Sequence, residues 1–412
     1  MKKQHIILIT SYPPKDTLYG KGVGGLASFA KNTVISMFQS STFTILAEIL
    51  DKEDTYGESK NTIHRCWRKD RLSLYAELFQ KVLNLKNKTK KVVIEFEFSI
   101  YGGIFVTGWM PIFISLLRLL GFEVSIVLHQ VLSDLTELSP HLGKNPDSLY
   151  SQIFRVLLHL YYWMICLPAS KIVVLDQIHK NKLAKYTNIK KIFTIPHGVD
   201  TNVVIKEQSS QTSRFTITTF GFITQYKGSD WLAAEFNKYI RHNPNNPHNF
   251  NLILAGGQSP TQKTAQSYQE YYKSVQNLIS QTKTHSKLTG FIPEEDITKI
   301  YNQADILVFP YRVLMASSGP LSLAISYEKP FLISDQLVPY TLTPDFSNAL
   351  LRLSLTPRDI SFTLKDSDLF SKLKALNTNP EKLQRLTQLS KMLKQSRSWV
   401  NTGKQYEKVL LE

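Results

Sequence analysis

Residues 306–335 read ILVFPYRVLMASSGPLSLAISYEKPFLISD, and this stretch decides the fold. Two short apolar runs, each of strand length, flank a polar loop and an apolar helical segment. The order is buried strand, loop, helix, buried strand. The loop sets Ser317, Ser318 and Gly319 where the helix begins, so backbone N–H groups and hydroxyls face whatever lies beyond the strand ends. Helix starts of this kind hold phosphates and nucleotides in α/β proteins, and they also arise as plain caps.

The same rhythm extends in both directions. Strand-like runs at 5–10, 43–48, 92–98, 124–129, 171–175 and 192–196 alternate with helical or loop material, as expected of a parallel sheet covered on both faces. A second series follows at 215–221, 250–255, 285–290, 306–310 and 331–334. Two Rossmann-like domains are expected, 1–197 and 198–395, joined through a polar, aperiodic linker at 200–213 (DTNVVIKEQSSQTS). The last helix, around 399–411, carries Trp399, Tyr406, Val409 and Leu410, an apolar stripe that must dock on something.

Composition agrees with a soluble globular chain. Of 412 residues, 42% are hydrophobic and 20% charged, enough to build proper cores. The two cysteines, Cys66 and Cys166, are far apart and form neither a disulfide framework nor a zinc spacing, which fits a reducing cytoplasm. The N-terminus has two lysines and then only a short apolar run before Ser-Tyr-Pro-Pro, better read as a first strand than as a signal peptide. The apolar runs 104–120 and 157–168 fall short of the roughly 20 residues a membrane span requires, and are read as buried or interfacial helices.

The net charge of +16 asks for an anionic partner. Between 65 and 91 stand nine basic and two acidic residues, interleaved with leucines and aromatics. This pattern predicts an amphipathic basic helix that presents either a solvated face or a face lying on an acidic membrane. No zinc-finger spacing, RNP-like sequence or recognition-helix pattern accompanies the charge, so nucleic acid is not expected as a partner.

Candidate chemistry gathers at the strand ends. The first strand runs into SYPPKDTLYGKGVGGLASFAKN, where Gly22, Gly24 and Gly25 permit close backbone approach to a ligand or simply loosen a loop. The spacing is not the dinucleotide fingerprint. Glu95 and Glu97 are expected on one strand face, ~7 Å apart, with Glu97 nearest the strand end. His129 ends an apolar strand at the same sheet edge, as a structural or a catalytic residue. In the second half, FGFITQYKG at 220–228 follows a strand and brings Lys227 toward the Ser317–Ser318–Gly319 anion site, where it would screen a diphosphate.

GVGG, FEFSIYGG, the strand-final His129, IPHGVD, FGFITQYKG, LILAGG, LTGFIPEEDITKIYNQADILVFPY and GPLSLAISYEKPFLISD resemble, in this order, the nucleotide-sugar glycosyltransferases of family 4 with the GT-B fold. The resemblance spans nearly the whole chain. It implies an α/β protein with two Rossmann-like domains whose parallel sheets face a cleft, and a helix at 396–412 crossing back to the N-terminal domain. It further implies acceptor binding by the first domain, nucleotide-sugar binding mainly by the second, and retention of anomeric configuration. Residue by residue, Gly24 and Gly25 match the loop near the donor diphosphate, and Glu97 and His129 match positions near the reacting sugar. Lys227 matches the lysine on the diphosphate, while Phe291 and Ile292 match the loop against which the base rests. No cofactor is implied, and no Asp-x-Asp pair stands ready for a metal.

Departures from the family pattern are equally plain. Its usual arginine falls on Phe222, and its two glutamates fall on Met315 and Leu323. The expectation is a cytoplasmic retaining glycosyltransferase acting on a glycan or lipid-linked acceptor in cell-surface polysaccharide or glycolipid synthesis, on the inner face of an anionic membrane. A catalytically degenerate protein that only binds a nucleotide-sugar or glycan is the alternative.

Overall fold

The structure, a computed structural model, describes the chain except for residues 1–3, 19–24, 38–40, 133–148, 206–213, 247, 261 and 315–316, and the side chains of 99 and 149–151. It divides into two compact units, one of Met1–Gly198 with Arg397–Glu412 and one of Val199–Ser396.

The first unit is built on β1 (Gln4–Ile9), β2 (Ser41–Glu48), β3 (Asp54–Glu58), β4 (Asn61–Trp67), β5 (Lys91–Phe96), β6 (Glu123–Leu128), β7 (Lys171–Val174) and β8 (Ile192–Thr194). They lie in the order β3-β4-β2-β1-β5-β6-β7-β8. All neighbours are parallel except the β3–β4 hairpin at the edge. Continuous β-branched runs such as Ile6–Ile7 and Val92–Val93 are buried because helices cover both faces of the sheet. The final helix, Trp399–Leu411, packs on helix Gly25–Ser36. Phe29 meets Trp399 at 5.6 Å and Tyr406 at 6.4 Å between ring centroids. A Cβ at Gly403 would lie 2.6 Å from the Ser36 carbonyl oxygen, so this close approach requires glycine.

Two expectations need correction here. Residues 65–91 are not one basic helix: Asn61–Trp67 is strand β4, and the helix runs only over Ser73–Asn84, with Lys81 its single basic residue. Arg65 disguised the strand's alternation, yet it is buried. Its guanidinium donates to the carbonyls of Glu48, Tyr12 and Pro13 and to the Tyr56 hydroxyl oxygen, which satisfies a charge removed from water. Lys91 is likewise occupied, donating to the carbonyls of Leu410 and Leu411 at the end of the final helix.

The second correction concerns the run 92–98. β5 ends at Phe96 and a helical turn, Phe98–Tyr101, begins at once. Phe98 packs edge-on against Phe96 at 5.3 Å, and Glu97 lies beyond the strand, between β5 and the helical turn.

The second unit carries β9 (Phe215–Phe220), β10 (Phe250–Ala255), β11 (Ser286–Leu288), β12 (Ile306–Phe309), β13 (Phe331–Ser334) and β14 (Ser361–Phe362). All are parallel and ordered β11-β10-β9-β12-β13-β14. This is the doubly wound order in which the chain reverses direction across the sheet between β9 and β12. Among the described residues no helix is long and apolar enough to cross a membrane.

Candidate functional site

In an open parallel sheet, ligands bind beyond the carboxyl ends of the strands at the switch point. In the second unit the switch point lies between the loops that follow β9 and β12, and both loops are tightly fixed. Gly228 has φ +69°, and a Cβ there would lie 2.1 Å from the Pro310 carbonyl oxygen, so only glycine lets the β9 loop rest on the end of β12. The Arg312 N–H donates to the Tyr226 carbonyl at 2.7 Å. Its guanidinium grips both carboxylate oxygens of Asp230, at 3.0 and 2.7 Å, and also donates to the Gln225 carbonyl at 2.8 Å. A bidentate pair of this kind holds geometry as well as charge.

Lys227 sits inside this frame. A Cβ on Gly221 would lie 2.6 Å from the Lys227 ammonium and 3.2 Å from Pro320, so the cation lies beside the start of helix Gly319–Ser326. The lysine is half-buried, and burial lowers its pKa from the usual 10.5 to about 8. Among the described residues no carboxylate or carbonyl pairs with it. The ammonium stands 5.8 Å from the centroid of the Tyr226 ring.

The Ser-Ser-Gly loop has a divided role. The Ser318 hydroxyl accepts the Leu321 N–H at 3.3 Å and bonds the Tyr311 hydroxyl at 3.0 Å; it is a helix cap, buried and engaged. Ser317 is half-buried, and Gly319 is exposed with open space where a Cβ would stand. Leu323, one of the two positions of the family glutamates, packs against the core of this unit, and Met315 lies outside the described residues.

Further along the same edge the backbones of three loops close on one another. A Cβ on Gly256 would strike the Gly221 carbonyl oxygen at 2.0 Å, and one on Gly257 would lie 2.6 Å from the Phe291 nitrogen. Phe291 is 65% exposed at this edge, and Ile292 is half-buried against Ile253, Ala255 and Ile300. The arrangement provides a cation, the Gly319 N–H at a helix start and an exposed aromatic face on one strand-end surface.

In the first unit the switch point lies between β1 and β5. Here Glu95 rather than Glu97 meets His129. Glu95 is buried, its Oε2 accepts the Thr10 hydroxyl at 2.7 Å and lies 3.7 Å from His129 Nε2. His129 is itself buried and stands edge-on to Phe29 at 4.7 Å. Nε2 has no hydrogen-bond partner among the described residues. Glu97 is half-buried past the strand end. The signal missed in the sequence was Thr10, whose hydroxyl follows strand β1 and reaches the carboxylate of Glu95 on the neighbouring strand. Gly24 lies outside the described residues, and Gly25 is exposed at the start of helix Gly25–Ser36.

Nearby, the loop after β1 is pinned by buried charge. Glu48 accepts the Ser11 hydroxyl at 2.5 Å and the Tyr12 N–H at 3.1 Å, and burial raises its carboxyl above the ordinary range. His197, from the IPHGVD segment, lies between Phe29 and Trp399, and burial lowers its pKa to about 4. Cys66 and Cys166 are buried free thiols, each pushed up to about 12 by desolvation. Among the described residues no cluster of His, Cys, Asp and Glu could hold a metal ion.

This geometry can be set beside known proteins. Residues 214–352, the larger part of the second unit, match the family model described as glycosyl transferases group 1. Solved structures with the GT-B fold match end to end. Sucrose-phosphate synthase of Thermosynechococcus elongatus aligns with TM-score 0.69 and 13% identity over 99% of this chain and 98% of its own. Anabaena HepE in complex with UDP and glucose aligns at 0.64 and 13%, covering 99% of each chain. The α,α-trehalose-phosphate synthase of Burkholderia xenovorans in complex with glucose-6-phosphate aligns at 0.69 and 10%, over 99% of this chain and 100% of its own. No curated protein matches the chain in sequence. The fold is GT-B, and together with the group 1 domain it supports a glycosyltransferase enzyme.

Proposed function

We propose that the protein is a retaining glycosyltransferase resembling family 4, which moves a sugar from a nucleoside-diphosphate sugar to a glycan or lipid-linked acceptor in cytoplasmic synthesis of surface polysaccharide or glycolipid. The observation that carries this reading is the half-buried ammonium of Lys227 at the switch point, beside the start of helix Gly319–Ser326 and unanswered by any described carboxylate. A sugar departs with a nucleoside diphosphate, whose growing negative charge must be met where water is scarce. Lys227 and the Gly319 N–H would meet it, and Phe291 would carry the base on its exposed face. The UDP bound in the HepE structure makes UDP the first nucleotide to try.

On the first unit the buried Thr10–Glu95–His129 group would meet the sugar and acceptor. Glu95, 3.7 Å from His129 Nε2, would act together with His129 on the sugar side of the site. The test is a thermal-shift screen of nucleoside diphosphates and their sugars, since a ligand bound only by the folded state raises its stability. It is followed by donor turnover, read as nucleotide release with and without glycan acceptors. Binding with turnover supports transfer. Binding without turnover favours a noncatalytic sugar-nucleotide protein, which the apolar Leu323 at a family glutamate position would explain. No binding by any diphosphate removes the reading.

A further inference from the structure

On the first unit, helix Met110–Leu119 packs between helices Ser73–Asn84 and Leu149–Cys166 on one side of the sheet. Met110–Leu119 and Leu149–Cys166 carry apolar side chains outward as well as inward. Phe105, on the short helix Ile104–Thr107, is 87% exposed and Leu119 is 82% exposed. Trp109, Ile112 and Leu116, with Leu72 and Phe79 facing them, line a groove of about 430 Å³. On Leu149–Cys166 a second stripe of Val156, Leu157, Leu160 and Trp163 is exposed, opposite the buried Leu158, Tyr162 and Ile165. A soluble monomer rarely leaves so extended an apolar surface uncovered without a partner for it.

Charge identifies the partner. Residues 98–122 and 149–170 contain no Asp or Glu at all, while Arg118 and Arg155 within them are exposed. At the edge of the same face Arg68, Lys69 and Arg71 are exposed, and the intervening Asp70 is engaged: its carboxylate accepts the Gly103 N–H at 2.8 Å, and its own N–H donates to the Tyr101 carbonyl. These bonds hold the cationic turn beside the start of Ile104–Thr107. A second copy of the chain docked symmetrically would set these cations against each other, with Asp70 the one carboxylate in the turn and already engaged by the Gly103 N–H. A bilayer rich in anionic headgroups instead supplies phosphates at the rim and acyl chains at the centre. Exposed tryptophans on an apolar face rimmed by cations are suited to the membrane interface.

We infer that this outward face of Ile104–Thr107, Met110–Leu119 and Leu149–Cys166 docks on an anionic lipid bilayer, the helices lying in the interface without crossing it. The inference stands apart from the transfer chemistry, and nucleotide binding reports on that chemistry separately.

The full-length protein is tested by flotation with vesicles of phosphatidylcholine, alone or with phosphatidylglycerol. Wild-type protein should float with the phosphatidylglycerol vesicles, less so at high salt. Phe105→Ser with Leu119→Ser should reduce partition roughly tenfold or more, since each forfeits the burial of a large apolar side chain. Arg68, Lys69 and Arg71 changed together to Gln should remove the preference for phosphatidylglycerol. UDP thermal shifts should be unchanged in both variants. Independently of any variant, brominated phosphatidylglycerol should quench the emission of wild-type protein through Trp109 and Trp163. Wild-type protein that stays with the buffer, binding indifferent to Phe105 and Leu119, absence of quenching, or a sedimentation-defined dimer that the same substitutions dissociate would each overturn the inference.

Discussion

At Lys227, the residue on which the donor reading turns, a cation is kept half-buried with its pKa brought down to about 8. Lys227→Ala is expected to weaken nucleoside-diphosphate binding by about 1.5–3 kcal/mol, the worth of a charged hydrogen bond, with the melting temperature of free protein maintained. The sign of the pH effect follows from the same shift. A bound diphosphate favours the ammonium, so binding takes up a proton once the free lysine has lost it. Affinity should therefore be level below about pH 8 and decline above it, and Lys227→Met should flatten that decline. Calorimetric titration at several pH values reads both, and an unchanged slope in Lys227→Met removes the lysine from the site. In the first unit, His129→Ala and Glu95→Gln should each slow transfer while leaving UDP affinity intact, because neither belongs to the unit that carries the group 1 match. Wild-type turnover in Glu95→Gln would make the Thr10–Glu95–His129 contacts purely structural. The positions of Lys227 and His129 beyond strand ends were legible in the sequence because each follows a clear strand–loop pattern. Glu95 was passed over for Glu97 because a strand drawn two residues too long placed both on one face.

Among the elements, helix Gly319–Ser326 separates capping from ligand binding. Ser318 caps it through the Leu321 N–H, so Ser318→Ala should cost about 1 kcal/mol of stability. Gly319→Pro deletes an amide at the helix start, whereas Ser317→Ala leaves every amide in place. Nucleotide affinity should fall well below wild type in Gly319→Pro and stay near it in Ser317→Ala. Equal and negligible effects, measured by the same titration, would confine this loop to capping. The strands around this helix were legible from their apolar, β-branched runs, and β10 and β13 fall on the residues expected. The β3–β4 hairpin was not. Its inner strand buries Arg65 through carbonyls contributed by the β1 loop, a tertiary rescue that no local pattern announces. The apolar runs at 104–120 and 157–168 were read correctly as too short to span, while the exposure of their outer faces depends on what does not pack there.

For the molecule as a whole, the division into two units predicts how stability is distributed. Residues 397–412 belong to the first unit although they follow the second in the chain. Tyr406 and Leu410 are buried there, and Lys91 is bound to the last turn of this helix. Each fully buried large side chain contributes about 1.5–3 kcal/mol, a sizeable part of the 5–15 kcal/mol typical of a folded protein. Deleting 399–412 also uncovers Phe29, which stands against His129. Hydrogen exchange should therefore accelerate in β1, in β5 and in helix Gly25–Ser36 of the truncated protein, while peptides from β9, β10 and β12 keep their wild-type protection. Added UDP should protect the loops after β9 and β12 in both proteins. Uniform loss of protection across the two units would show that they fold as one cooperative body, and that the final helix stabilises more than the unit into which it packs.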